Sequence, residues 1–309
     1  MPGGAGHSSP GRFSLTARGP FSFAASVRFL EGFPPAADPT TAEGGLRLAF
    51  CVEGSWEPAG VEIAGAEGGD GVEVRWTGGA HAPRLREQVA RMLSLDVDGS
   101  GFASLGDADP VVGRLQRHFA GLRPVGFWSP YEAGAWALLS HRVRMAQALA
   151  LKSALAERLG EEVEIDGERL RAFPGPRALA TLDSFPGVPA VKLERLRALG
   201  AAAAEGALDG ARLRGVEVEE ALAALETLPG VGPFSAGLIL VRGASHPDVF
   251  PTAEPRLHAA MRSAYDRREA SVEQLAAIAD AWRPYRSWVS VLFRAAAGGA
   301  AELLVPPAS

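Results

Sequence analysis

A chain of 309 residues with 47% hydrophobic and 22% charged side chains is long enough for two or three packed units and reads as globular. No apolar run reaches the roughly 20 residues of a membrane span, no charged-then-apolar leader opens the chain, and the single cysteine, Cys51, excludes an intrachain disulfide and a cysteine-cluster zinc site. The net charge of −5 argues against a uniformly basic surface, but Arg256, Arg262, Arg267, Arg268, Arg283, Arg286 and Arg294 face only Asp266, Glu269, Glu273 and Asp280 along the C-terminal stretch, so a local basic face is expected there.

Residues 1–11, rich in Gly, Ser and Pro, carry little apolar surface and are expected to form a disordered tail. Residues 12–100 have the texture of a small α+β domain. Phe21, Phe23, Ala25, Val27 and Phe29 alternate as a half-buried strand does, and Leu46–Val52, Gly60–Ile63 and Val72–Trp76 are further strands between Gly- and Pro-containing turns. His81–Leu95 reads as a helix with Leu85, Val89, Met92 and Leu93 on one face.

From Asp109 the strand signals vanish, so residues 101–309 are expected to be a helical body. Asp109-Pro110 is a cap and first turn for a helix reaching Phe119. A loop over 121–130 follows, then a helical stretch from Tyr131 to Leu159 broken near Ser140-His141. An amphipathic run over Val216–Thr227 leads into Leu228-Pro229-Gly230-Val231-Gly232-Pro233-Phe234-Ser235-Ala236. Pro229-Gly230 breaks that helix, and Pro233 suits the first turn of the next. The two glycines allow a tight turn and leave its amides open to a ligand, a cradle for a chain phosphate. Alone, such a glycine pair is also an ordinary interhelical turn.

Two further motifs follow in register: Pro247-Asp248-Val249-Phe250-Pro251-Thr252-Ala253-Glu254 before a helix, then Trp282-Arg283-Pro284-Tyr285-Arg286-Ser287-Trp288. In order and spacing the three motifs resemble the helix-hairpin-helix DNA glycosylase superfamily, specifically its 3-methyladenine DNA glycosylase II branch, over most of the chain.

That resemblance implies an N-terminal antiparallel sheet with helices, followed by a two-lobed all-α body (residues 101–309) with a cleft between the lobes. It also implies a monomer that binds damaged double-stranded DNA, flips an alkylated purine and hydrolyses its N-glycosidic bond without a cofactor. DNA contacts fall on Gly230, Val231, Gly232 and Ser235 at the hairpin, Arg142 and Arg144, and an apolar wedge at Pro124 or Val125. Carbonyls of Glu226, Leu228 and Gly230 match a monovalent-cation site, and no other metal is expected. The base pocket would comprise Trp128, Tyr131, Phe234, Leu238, Pro255 and Arg294, with Trp136 a further stacking candidate; the aromatics also suit a core role. The catalytic carboxylate is Glu254, where the family carries aspartate; a helix N-terminal acid is the other reading. With Phe234 and Ser235 after the hairpin and no lysine beyond Lys192, a Schiff-base lyase is not expected. Two alternatives stay open: a damage-binding protein on a glycosylase scaffold, and a glycosylase for bulky or neutral adducts.

Overall fold

The computed structural model describes residues 10–32, 40–42, 45–78 and 81–305; the expected tail lies outside them apart from Pro10 and Gly11. Five antiparallel strands, β1 (Gly11–Thr16), β2 (Thr40–Ala42), β3 (Gly45–Cys51), β4 (Pro58–Gly65) and β5 (Gly71–Gly78), form a sheet in the order β1-β5-β4-β3-β2. The first strand pairs Gly11 with Trp76 and Thr16 with Gly71. Val61, Ile63, Val72 and Val74 are buried in the core under the helix Ala82–Met92, which contributes Leu85 and Val89.

Phe21–Phe29 is not a strand. Phe23–Glu31 is a helix, capped by the Ser22 hydroxyl, which accepts the Ala25 amide. Phe23, Ser26 and Leu30 recur at helical spacing on its buried side. The alternating aromatics satisfy a period of two by coincidence, and the serine cap decides the outcome.

Beyond Asp109 the chain is helical but for a hairpin of β6 (Glu162–Ile165) and β7 (Glu168–Arg171). This hairpin leans on the sheet, where Arg75 pairs with Asp166 and Arg47 with Glu168. The helices divide between two cores. One gathers Trp136, Leu138, Leu155, Leu196, Leu225 and Ile239. The other gathers Val112, Leu115, Leu257, Met261, Trp282 and Phe293. Asp109 joins pieces of the second core: Oδ1 accepts the Val111 and Val112 amides as the cap of Pro110–His118, and Oδ2 accepts the Tyr265 hydroxyl and the Trp282 indole N–H.

Candidate active-site cleft

Between the two helical cores opens a cleft of about 840 Å³. One wall comes from Trp136, Phe234, Leu238 and Val241, the other from Phe250, Leu257, Val291 and Arg294. Ala25, Arg28 and Phe29 of the misread helix close one end.

Glu254 stands in this cleft as the N-cap of the helix Pro255–Ala264. Pro255 keeps the preceding residue out of the α region, and Glu254 has φ −105° and ψ 90°. Its Oε1 accepts the Arg256 amide at 3.1 Å and lies 3.7 Å from Arg294 Nε. No hydrogen bond among the described residues engages Oε2. Both readings of Glu254 hold geometrically, since capping occupies one oxygen and leaves the other facing the cleft.

The segment carrying Glu254 is held firmly. Asp248 Oδ1 accepts Arg286 Nε at 2.8 Å and the Arg286 amide at 3.2 Å, while Oδ2 takes Arg283 and Arg286. Ser287 Oγ accepts the Val249 amide, and His258 Nε2 meets the Pro251 carbonyl at 2.9 Å. These contacts consume charge. Arg283 and Arg286 are paired with Asp248 and Asp280, and Arg262 Nε donates to the Ala270 carbonyl. Of the expected C-terminal basic face, Arg256, Arg267 and Arg268 remain exposed.

The hairpin lies on the rim, with Pro233 and Phe234 lining the cleft. Gly230 has φ +84°, a conformation L side chains rarely adopt, and a Cβ there would collide with Arg195. Gly232 has φ −107°, and a Cβ on it would meet nothing within 4 Å. Among the described residues no acceptor takes the amides of Gly230, Gly232 or Ser235, and these are the donors a phosphate needs. Val231 is buried, so its amide rather than its side chain is the available group; that amide donates to the Leu228 carbonyl at 3.0 Å. Leu228 is one of the three carbonyls matched to a cation, and its second lone pair stays available; oxygen donors of this kind suit a hard cation. Among the described residues no cluster of three His, Cys, Asp or Glu side chains could hold a metal.

Arg142 and Arg144 are exposed on the turn between the helices Pro130–Ser140 and Met145–Leu159, whose ends, Ser140 and Met145, line the cleft. Arg142 sits at φ +55° at the tip. Behind this turn, Lys192 Nζ donates to the Leu139 carbonyl. Three residues on, Arg195 packs against Gly230. One helix, Ala190–Ala204, therefore carries a basic ridge joining the two rim elements. Sequence reasoning missed Lys192 and Arg195, because nothing local links that helix to either element.

Four expected site residues lie elsewhere. Val125 has no exposed surface and packs under the sheet, and Pro124 is buried with its carbonyl accepting the Ser94 hydroxyl, so neither projects as a wedge. Trp128 packs against Phe50 with centroids 6.3 Å apart, and its carbonyl accepts Gln88. Tyr131 is stacked edge-on by Trp56 and donates its hydroxyl to the Pro174 carbonyl at 2.8 Å. The 121–130 loop runs between sheet and helices and is covered on both sides, which no local pattern reveals. Pro255 is exposed at the helix start and does not line the cleft. Phe234, Leu238, Trp136 and Arg294 do. Arg242, also lining the cleft, was not singled out; it donates to the Val125 carbonyl at 2.7 Å and lies over the Phe29 ring. Burial, reinforced by Arg294, lowers its guanidinium to about 9.

No family model matches the chain. A DNA-3-methyladenine glycosylase of Bacillus subtilis is 25% identical over 214 residues, 66% of this chain and 71% of that protein. The 3-methyladenine DNA glycosylase of Archaeoglobus fulgidus shares the fold with a TM-score of 0.71 at 19% identity, over 92% of this chain and 98% of its own. The Clostridium acetobutylicum 8-oxoguanine glycosylase/lyase, solved with double-stranded DNA containing cytosine opposite 8-oxoguanine, aligns with a TM-score of 0.58 at 18% identity over 79% and 86% of the two chains. A glycine hairpin set on the rim of an interlobe cleft, behind an antiparallel sheet, is the arrangement these likenesses share with the present chain, which belongs to the helix-hairpin-helix DNA glycosylase superfamily.

Proposed function

We propose that the protein is a monofunctional DNA glycosylase of base-excision repair that acts as a monomer on a damaged purine, an alkylated one on the sequence resemblance. The observation that carries this reading is Glu254, held in a cleft large enough for a flipped base and one oxygen short of full hydrogen bonding. The hairpin amides and the Lys192–Arg195 ridge supply contacts to one strand, independent of sequence. The exposed Arg142 turn, rather than the buried 121–130 loop, is the element free to enter the duplex where the base has left. In the cleft, Glu254 faces the sugar. Its carboxylate stabilises positive charge developing at C1′ and orients the attacking water, whose proton it accepts. The name of the Bacillus subtilis relative supports the reaction class.

The capping bond and the Arg294 contact also favour a second reading, a damage-binding protein whose carboxylate is already engaged. Glu254→Gln separates the two. On duplexes carrying modified purines, abasic-site formation is expected to fall by about 100-fold or more while duplex affinity stays within about twofold, because glutamine keeps the cap but not the charge. Strong duplex binding by the unsubstituted protein with no abasic product would establish the binding-only reading. Equal rates for both proteins would remove Glu254 from the chemistry.

A further inference from the structure

The charge lining the cleft is lopsided. Arg28, Arg242, Arg256 and Arg294 stand against Glu254 alone, with His118 at the edge. Arg28 and Arg256 are exposed at the mouth, where flanking phosphates pass. Arg242 and Arg294 are set in the walls: Arg242 is desolvated and held by the Val125 carbonyl, and 32% of the Arg294 side chain is exposed. Trp136, Phe29, Phe234 and Phe250 line the same space, so a planar base has apolar faces to lie against.

Hydrolysis of a purine glycosidic bond separates charge. The C1′–N9 bond breaks and its electron pair goes to the purine, leaving positive charge on the sugar until the water oxygen bonds C1′. A cationic purine departs neutral and gains nothing from a neighbouring cation. An uncharged purine departs as an anion until it takes a proton from solvent. It gains from a guanidinium placed at the base, as any developing charge gains from a preorganised opposite charge. In the ground state a wall guanidinium repels a cationic base and donates readily to an N7 or carbonyl acceptor of an uncharged one. The Glu254–Arg294 pair, 3.7 Å apart, is a dipole of the sense this transition state requires, with carboxylate toward the sugar and guanidinium toward the base.

We propose, resting on the glycosylase reading above, that the cleft selects uncharged modified purines over cationic alkylated ones and that Arg294, in the cleft wall beside Glu254, is the residue that sets this preference. Alkylations that leave the purine neutral fall within the class, as does deamination; N7-methylation of guanine falls outside it.

The test compares duplexes carrying hypoxanthine with duplexes carrying 7-methylguanine, each under single turnover. Each rate is expressed relative to spontaneous release from the same duplex, which cancels the intrinsic lability of the cationic base. The unsubstituted protein is expected to enhance hypoxanthine release at least about tenfold more than 7-methylguanine release, since each tenfold needs only a modest difference in transition-state energy. Arg294→Gln is expected to narrow that ratio by about tenfold, and Arg294→Lys to restore part of it. A larger enhancement for 7-methylguanine in the unsubstituted protein, or equal losses on both duplexes in Arg294→Gln, overturns the proposal and leaves the glycosylase reading standing. Binding of both duplexes without release of either base overturns the glycosylase reading itself.

Discussion

Glu132 lies in the helix Pro130–Ser140 with 3% of its surface exposed, its carboxylate 3.9 Å from Lys152 Nζ. Burial outweighs the attraction of Lys152 and raises its pKa from 4.5 to about 7. Between those values the folded protein keeps a proton that the unfolded chain has released, so stability falls as pH rises from 4.5 to about 7 and levels off above it. Glu132→Gln should remove this slope and leave the variant more stable than the parent at pH 8, by an amount of order 3 kcal/mol. Urea denaturation at pH 5 and pH 8 measures the difference, and parallel pH dependences in the two proteins would discount it. At this scale the sequence was informative where motif and backbone position coincide. Glu254, Phe234, Leu238 and Arg294 reach the cleft because each follows from a helix whose start is marked by proline or a fixed turn. Trp128, Tyr131, Pro124 and Val125 were misplaced because a loop sequence does not show which structures cover it, and here a sheet and a helical core do. Arg242 and Arg195 were invisible for a related reason: each acts through a contact distant in the chain, with Val125 and Gly230.

Among elements, the hairpin was the most legible, since Pro-Gly-x-Gly-Pro dictates a break, a turn and a restart. The structure adds a distinction between its glycines. Gly230 is needed by the backbone, whereas Gly232 leaves open space on the side where donors point. Gly232→Asp should therefore fold normally and place a negative charge among the unbonded amides. We expect an unchanged melting temperature, weaker binding to every duplex, and a slope of log affinity against log salt lower by about 0.9, one phosphate contact. Fluorescence anisotropy across a salt series measures both effects, and an unaltered slope would take the hairpin out of the interface. The helix Phe23–Glu31 was the element read wrongly, because aromatic alternation and a short amphipathic helix look alike over so few residues. The β6–β7 hairpin went unread because its two short strands bury little of their own and depend on the sheet beside them.

Across the whole molecule, three hydrophobic cores are stitched by buried polar contacts. Glu53, at the end of the sheet, pairs with Arg91 and accepts the Gly210 amide with its other oxygen, and both side chains are less than a tenth exposed. Arg91→Met should strand the carboxylate and cost roughly 3–5 kcal/mol of stability, while Glu53→Leu combined with Arg91→Met should recover most of it. Chemical denaturation of the single and double variants measures this, and a single variant as stable as the parent would show the pair to be dispensable. A buried guanidinium performs similar work at Arg123, which donates to the carbonyls of Pro20, Ser94, Val97, Arg18 and Gly19 and lies over the Trp288 ring. The segment beginning at Pro233 has a wider consequence. It starts at the unbonded hairpin amides, and Phe234, Gly237, Leu238 and Val241 along it line the cleft. A single rod thus spans roughly 12 Å, from one end at the strand to the other at the base. It works as a gauge, with its length in residues rather than any one side chain fixing how far from a gripped phosphate a nucleotide must swing. Adding or removing one residue between Ser235 and Val241 would turn the far end by about 100°, so the register of this rod tolerates substitution far better than insertion.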